Sequence, residues 1–453
     1  MFTDLPFDIL DGLAARYLSV SEMRNCSLAC RKLHEMLQSR LFRRVWIAYA
    51  PSEAQPFRAQ TNRVISDFPA ISKLIHRLTI QRNAVENARP ELAEAIVGKL
   101  PAMESLTTLV LTGEGLAFQD FKVPNLVISA ITLQYHLFST VRSLVLHSLT
   151  PTLSLKLLSS FPNIESLTLM GLSLLEEDAS EIAKAPDHRP SIKRLTVGLE
   201  NSQLDRFIRW ACDKERCPVD FDQLKTLRLS SGYRDTALTH FRDDFVEMYG
   251  AHVETLDLHL FGWSEYWANF PFIAPYFFSS GNGRSNTTTE RGAIDLSNLS
   301  AKLPNLRTLR IQTEATGVLS IVSSAYSTWL PTTLSHFQSS TSPHLSKIAL
   351  YFSVTKDALL EPLNNQTDTA ALDLDKIWQR ADHSLATLPL SSLSAYLTAP
   401  EDDVEQVIPL LSKRLPTLHS ESSRTEIRVS KPPLPSEYWT RSILIRRKAQ
   451  EMD

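Results

Sequence analysis

The stretch Ile164-Glu-Ser-Leu167-Thr-Leu169 decides the fold, because its pattern recurs along most of the chain. Each copy has an apolar residue, two variable residues, Leu or Ile, one variable residue, and a final Leu, Ile or Val. The other eight copies begin at Ile75, Leu106, Val141, Ile192, Leu224, Val253, Leu306 and Leu345. Alternation of apolar and variable residues is the period of a β-strand with one buried face. The pattern therefore predicts nine strands of one kind.

The intervals between the copies indicate one repeating unit of variable length. Central leucines are separated by 23 residues at the closest, from Leu144 to Leu167, and by 53 at the widest, from Leu256 to Leu309. Helical patterns fill several intervals, namely 91–100, 153–160, 203–214 and 237–249. Stacked units of this kind share one core and one parallel sheet. The pattern resembles the leucine-rich repeat, which implies an α/β repeat solenoid in the form of an irregular horseshoe. Further along, 372–397 could add a tenth unit and 425–429 a closing strand.

The first forty-nine residues have a helical period instead. Ile9 and Tyr17 recur at helical spacing, with Pro6 tolerated in the first turn. Ser19 and Glu22 form a capping-box pattern before a second helix through Ala29, and a third helix runs through 33–42. Three such helices bury little surface alone and usually pack on something else. The sequence thus predicts a small all-α module before the repeats.

Four short motifs give this module a family resemblance. Leu5-Pro6-x-Asp8-Ile9-Leu10, Leu18-Ser19, Cys30-Arg31-Lys32-Leu33-His34 and Leu41-Phe42-Arg43 resemble an F-box in order and spacing. The resemblance implies docking on the small linker subunit of an SCF-type cullin-RING ubiquitin ligase, and through it on the cullin scaffold. The residues that match the family's contact positions are Leu5, Pro6, Ile9, Leu10, Leu18, Leu28, Cys30, Leu41 and Phe42. Ala29 and Leu33 replace the frequent Val and Trp of the family. An alternative is that the helices only cap the solenoid.

Together these patterns divide the chain into four segments. An F-box covers 1–49, a connecting segment 50–70, the irregular leucine-rich-repeat solenoid 71–430, and a tail 431–453. The solenoid contains an aromatic insertion at 259–300. The implied function is a substrate-recognition adaptor whose repeats bind an unknown protein substrate. The alternative is an F-box and repeat scaffold that does not direct degradation.

The candidate substrate-binding residues lie in two places. Arg228, Asp257 and Arg310 stand between the paired leucines of their copies, where side chains project from the open face of a repeat sheet. The alternative for them is an ordinary solvated face. Trp263 and Trp267 lie in the aromatic insertion, and such rings anchor partners at interfaces. The alternative for the two tryptophans is that they pack as local core.

Composition and missing motifs limit the other functions. Lys plus Arg number 47 against 50 Asp plus Glu, so no strong field favours nucleic acid or an anionic membrane. Four scattered cysteines fit the reducing cytoplasm or nucleus and provide no disulfide framework or finger-like metal site. Neither a phosphate-binding loop nor a hydrolase elbow is present. A doubly wound α/β enzyme would alternate strand and helix without reusing one strand pattern. We therefore expect a non-enzymatic protein without cofactor or metal, in the cytoplasm, the nucleus or both.

Overall fold

The computed structural model describes part of the chain, in two compact units. The described residues are 7–49, 69–82, 103–113, 139–147, 153, 155–174, 189–199, 201–232, 241–261, 299–314, 337, 342–353, 383, 392–398 and 425–428. The first unit comprises 1–199 with 213–221, and the second comprises 200–212 with 222–453.

Unit 1 opens with three helices and continues with parallel strands. The helices are α1 (Phe7–Tyr17), α2 (Val20–Ser27), α3 (Arg31–Leu41) and the short α4 (Pro69–Ser72), with a 3-10 helix at Leu155–Ser160. The strands are β1 (Arg44–Tyr49), β2 (Arg77–Arg82), β3 (Thr108–Gly113), β4 (Ser143–His147), β5 (Ser166–Met170) and β6 (Arg194–Gly198). Each strand pairs in parallel with the next strand along the chain.

Unit 2 has the same strand arrangement. Its helices are α5 (Asn201–Cys212), α6 (Glu247–Tyr249) and α7 (Leu299–Lys302), and α6 lies between a π-helical turn, Phe241–Val246, and a 3-10 turn, Gly250–His252. Its strands are β7 (Thr226–Gly232), β8 (Thr255–Phe261), β9 (Thr308–Glu314), β10 (Lys347–Ser353), β11 (Ser392–Thr398) and β12 (Thr425–Arg428). They pair in parallel and in chain order.

The register of the strands places the repeated leucines in continuous buried rows. In unit 1 the central leucines align from strand to strand and are at most 1% exposed; they are Leu78, Leu109, Leu144, Leu167 and Leu195. Leu227, Leu256, Leu309 and Ile348 do the same in unit 2. All nine predicted strands are therefore confirmed, as β2 to β10. The chain is an α/β protein built on parallel strands.

A main-chain hydrogen-bond pattern recurs at the start of the strands. The carbonyl oxygen of Arg142 accepts two hydrogen bonds, from the N–H of Glu165 at 2.8 Å and of Ser166 at 3.0 Å. The carbonyls that make the same double contact one strand further along are those of Arg43, His76, Thr107, Glu165, Lys225, Glu254 and Arg307. The pattern satisfies N–H groups outside the strand ladder and keeps successive strands in register. Because Arg43 takes part, β1 is the first member of the repeat.

Several element boundaries differ from the prediction. No repeat pattern predicts β1, which lies inside the segment 1–49 and pairs with β2. The second helix ends at Ser27 rather than Ala29, and the third ends at Leu41 rather than Phe42. The predicted aromatic insertion at 259–300 overlaps β8 and α7, so only 262–298 separates these elements.

The helices predicted between the strands are confirmed in part. The pattern at 203–214 corresponds to α5, the described residues 155–160 form a 3-10 helix, and 241–249 form a π-helical turn with α6. The pattern at 91–100 and residues 237–240 lie outside the described residues. Of the predicted unit at 372–397, the structure describes residue 383 and the strand β11, and the predicted closing strand corresponds to β12.

Candidate functional site

The helical module α1–α3 has a small core of its own. Leu10, Ala14, Met36 and Leu37 are buried in it, and the partly buried residues packed around them are Leu18, Met23, Cys26, Leu33 and Leu41. Leu10 was expected to contact a partner, but it is only 2% exposed and packs inward. Leu18 and Leu41, expected on the same contact surface, also belong largely to this internal packing. Leu10 therefore supports the module from inside, and its contact with a partner stays a prediction.

Polar contacts join α1 to α3 and cap the start of α2. Arg40 of α3 binds the Asp11 carboxylate of α1 through two of its nitrogens. Hydrogen bonding from Arg40 holds the pKa of Asp11 below its usual value. The predicted capping box is confirmed at α2, where the N–H of Ser19 donates to Glu22 Oε2 at 2.7 Å and the N–H of Glu22 donates to Ser19 Oγ at 3.3 Å. The module is thus held together by more than its four buried side chains.

Three large apolar side chains of the module remain at its surface. Ile9 is 51% exposed, Tyr17 67% and Leu28 79%. At about 100° per residue, Tyr17 lies about 80° around α1 from Ile9 and about 20° from the buried Leu10. Ile9 and Tyr17 are therefore two separate exposed apolar residues of α1, and Ile9 lies to one side of the inward stripe of Leu10 and Ala14.

The other predicted contact residues are less informative. Cys30, the N-cap residue of α3, and Phe42, its C-cap residue, are both partly exposed. Leu5 and Pro6 lie outside the described residues. Tyr17 was not among the predicted contacts, although its helical spacing from Ile9 was a signal that could have found it.

The open face of the unit 2 strands carries a charged row. Register places Arg228 of β7 beside Asp257 of β8, and Asp257 beside Arg310 of β9. Arg228 Nε donates to Asp257 Oδ2 at 2.7 Å, and its Nη2 donates to the same oxygen. Asp257 is only 4% exposed and its carboxylate is paired with Arg228, while Arg310 is exposed. Substrate binding by these three residues stays a prediction.

A second charged row lies at the residues that precede the strands. Lys225 Nζ is 3.3 Å from Glu254 Oε1, and Arg307 occupies the next strand in the same position. Unit 1 has the corresponding series, in which Glu165 binds Arg142 at 3.1 Å and Lys193 at 3.3 Å. Exposed pairs of this kind add little stability, about 0 to 1 kcal/mol each, but they neutralise the side chains they join.

The open face of unit 1 is less charged. Val110 and Val145, which occupy the position equivalent to Asp257, are 1% and 7% exposed and add no binding surface. Thr112 Oγ1 lies 3.1 Å from His147 Nδ1 on neighbouring strands. Burial lowers the pKa of His147 to about 4, so the imidazole is neutral at neutral pH. The described part of this face therefore gains no positive charge from its histidine.

No family model and no curated protein matches this chain.

The described residues also contain few features of a chemical site. No group of three His, Cys, Asp or Glu residues within them could hold a metal ion. Burial raises the pKa of the Cys212 thiol to about 11 and that of Cys217 to about 12, so both are protonated at neutral pH. None of the helices described is long and apolar enough for a membrane crossing.

The predicted substrate-binding set is only partly brought together. Arg228, Asp257 and Arg310 form one row across three adjacent strands. Trp263 and Trp267 lie outside the described residues. Two surfaces thus remain as candidates. One is formed by the exposed apolar residues Ile9, Tyr17 and Leu28 of the helical module, and the other is the charged open face of unit 2.

Proposed function

We propose that this chain is a non-catalytic substrate-recognition adaptor of an SCF-type cullin-RING ubiquitin ligase. In this proposal α1–α3 is an F-box that docks on the linker subunit, and the following strands belong to an irregular leucine-rich-repeat horseshoe that binds the protein substrate. The observation that carries the proposal is the presence of three exposed apolar side chains, Ile9, Tyr17 and Leu28, on a three-helix module that leads directly into a parallel repeat.

The exposed apolar residues favour docking through the helical module. Burying a leucine or isoleucine side chain contributes roughly 1.5 to 3 kcal/mol. Ile9 and Leu28 are each more than half exposed, so most of this free energy is still available to a partner. Both match contact positions of the F-box pattern. Tyr17 is a further exposed residue of α1 and adds an aromatic ring of the kind enriched at interfaces.

The junction between module and sheet favours an adaptor. Helix α3 ends at Leu41 and β1 begins at Arg44. The carbonyl of Arg43 accepts hydrogen bonds from the N–H groups of His76 and Arg77, each at 3.0 Å. The module is therefore joined to the first strands of the repeat by a short, hydrogen-bonded connection. A fixed connection raises the effective concentration of a bound substrate near a ubiquitin-charged enzyme on the same scaffold.

Binding of the full-length chain to a purified linker subunit tests the docking. We expect the Ile9→Asp/Leu28→Asp double variant to bind at least about thirtyfold more weakly, since about 2 kcal/mol of apolar burial is lost. Met248→Asp is the matched control, because Met248 is a 42% exposed apolar residue in unit 2. It should bind as the wild type does. Wild-type affinity in the double variant, with an unchanged melting temperature in all three proteins, would refute the proposed docking.

A cellular experiment separates the adaptor from a scaffold. Immunoprecipitation of the wild-type chain should recover the cullin together with the linker subunit. A bound protein should accumulate on proteasome inhibition and on expression of the double variant. Recovery of the cullin without any such accumulation would mean that the chain binds the ligase but does not direct degradation.

A further inference from the structure

Three exposed cations cluster where β9 and β10 begin. Arg307 precedes β9, Arg310 lies within it and Lys347 opens β10; all three are exposed. Thr308 is the register partner of Lys347, and the N–H of Lys347 donates to the carbonyl oxygen of Arg307 at 3.0 Å. The three side chains therefore start from neighbouring positions on two paired strands.

The nearby anions are already neutralised by other cations. Glu254 binds Lys225 and Asp257 binds Arg228, on the strand side away from β10. Among the described residues, none of the three clustered side chains takes part in an ion pair. The open face of unit 2 thus carries a local excess of positive charge, although the whole chain has a net charge of −3.

Short side chains leave this cluster accessible. Ala349 is the register partner of Arg310, and Thr308 is the register partner of Lys347. Neither is long enough to cover a guanidinium or an ammonium group. The long cationic side chains are therefore the groups that an approaching partner meets first.

We infer that this cluster binds an acidic protein segment, whose Asp or Glu side chains pair with Arg307, Arg310 and Lys347. Diagonal neighbours on paired strands are about 7 to 8 Å apart, which is the relation of Arg310 to Lys347. Alternate residues of an extended peptide are roughly 6.6 Å apart. Carboxylates at every second position of the segment would match this spacing. The inference rests on the proposed function in one respect only, that the strands bind a protein substrate. It does not depend on docking through the helical module.

The same geometry disfavours a nucleic acid. A duplex-binding protein commonly contacts about 6 to 10 phosphates, whereas this cluster offers three unpaired cations. A short peptide with a few separated carboxylates matches this smaller number of cations.

Fluorescence anisotropy with the full-length chain tests the inference. The probe is a short fluorescein-labelled peptide with Glu at alternate positions, and its counterpart has Gln at those positions. We expect the Glu peptide to bind the wild type, and Arg307→Gln/Arg310→Gln/Lys347→Gln to weaken binding by about tenfold. Affinity should fall as NaCl rises from roughly 50 to 300 mM, because salt screens exposed charges.

A matched control removes the same charge from unit 1. Arg142→Gln/Lys193→Gln/Arg194→Gln also deletes three exposed cations, and two of them are already paired with Glu165. It should change the affinity by less than about twofold. Equal weakening by both triple variants, or wild-type affinity in the first, would overturn the inference. Tighter binding of an oligodeoxynucleotide of the same charge would overturn it too, in favour of a nucleic acid.

Two further measurements keep the result interpretable. Arg307→Glu/Arg310→Glu/Lys347→Glu should lose the Glu peptide and gain a Lys peptide, an exchange that a folding defect cannot produce. The linker subunit should bind the first triple variant as it binds the wild type. Peptide binding by the first triple variant therefore tests the cationic cluster alone. Linker binding by the Ile9→Asp/Leu28→Asp variant tests the proposed function alone.

Discussion

Replacing Arg228 with Ala should destabilise β8 more than replacing its partner Asp257. The Asp257 side chain is 6% exposed and that of Arg228 is 32% exposed, so only the arginine retains substantial contact with water. Arg228→Ala leaves a buried carboxylate without its donor. Asp257→Ala leaves a guanidinium that solvent still reaches.

The exposures set the size of the difference. Removing one partner of a fully buried ion pair costs about 3 to 5 kcal/mol. Because a third of Arg228 is exposed, water enters the vacated site and reduces the cost to about 2 kcal/mol. Asp257→Ala should cost less than about 1 kcal/mol. The double variant should resemble Asp257→Ala, since no buried charge remains in it.

Hydrogen exchange measured by mass spectrometry on the peptide that contains β8 is a suitable assay, because it reports local opening without requiring two-state unfolding of the whole chain. About 2 kcal/mol corresponds to a roughly thirtyfold faster exchange in the Arg228→Ala variant. Unchanged exchange in this variant, or exchange in the double variant as fast as in Arg228→Ala, would refute the reasoning. Adding Arg310→Ala shows whether the neighbouring arginine replaces the lost donor.

Two further predictions concern stability. The pKa of His147 is about 4 in the folded protein, against an ordinary value of 6.5. As the pH falls between these two values, the unfolded state is protonated first. The free energy of unfolding therefore falls by up to about 3 kcal/mol. His147→Gln should flatten the melting temperature between those pH values, and an equal slope in both proteins would contradict this. Gly250→Ala would place a Cβ 2.6 Å from the Lys302 carbonyl oxygen and 2.8 Å from Val246 Cγ1, and should cost about 1 to 3 kcal/mol in thermal melting. Gly12→Ala, with nothing within 4 Å, should instead stabilise α1 by about 0.5 to 1 kcal/mol, and destabilisation there would count against it.

The sequence predicts the strands well because each carries the alternation of a half-buried sheet. Strand β1 is the exception: Val45 and Ile47 align with Leu78 and Ile80 of β2, but Trp46 and Ala48 are apolar as well. Without alternation, the segment has no period that distinguishes a strand from the end of the preceding helix.

The surfaces are harder to predict than the strands. In α1, Tyr17 is exposed although it lies seven residues from the buried Leu10, on nearly the same side of the helix, so helical spacing alone does not tell which apolar residues pack inward. Contacts from α3, far along the chain, decide it. Asp257 was correctly placed on a strand of unit 2, but its burial depends on Arg228 of the neighbouring strand, a contact that sequence spacing does not specify.

The two units use the same charge sequence with different results. In unit 1 the anion Glu165 binds the cation before it and the cation after it, so the series Arg142, Glu165, Lys193 is closed on both sides. Among the described residues of unit 2, the corresponding anion, Glu254, pairs with Lys225 and not with Arg307. Asp257, three residues later, likewise pairs with the preceding cation, Arg228, and not with Arg310. Within the described part of unit 2, both rows therefore leave their last cation without an ion pair, Arg307 just before β9 and Arg310 within it. The excess positive charge near β9 arises because each anion pairs with the preceding cation, and not from the number of basic residues. This asymmetry is the reason to seek an acidic partner on unit 2 and not on unit 1.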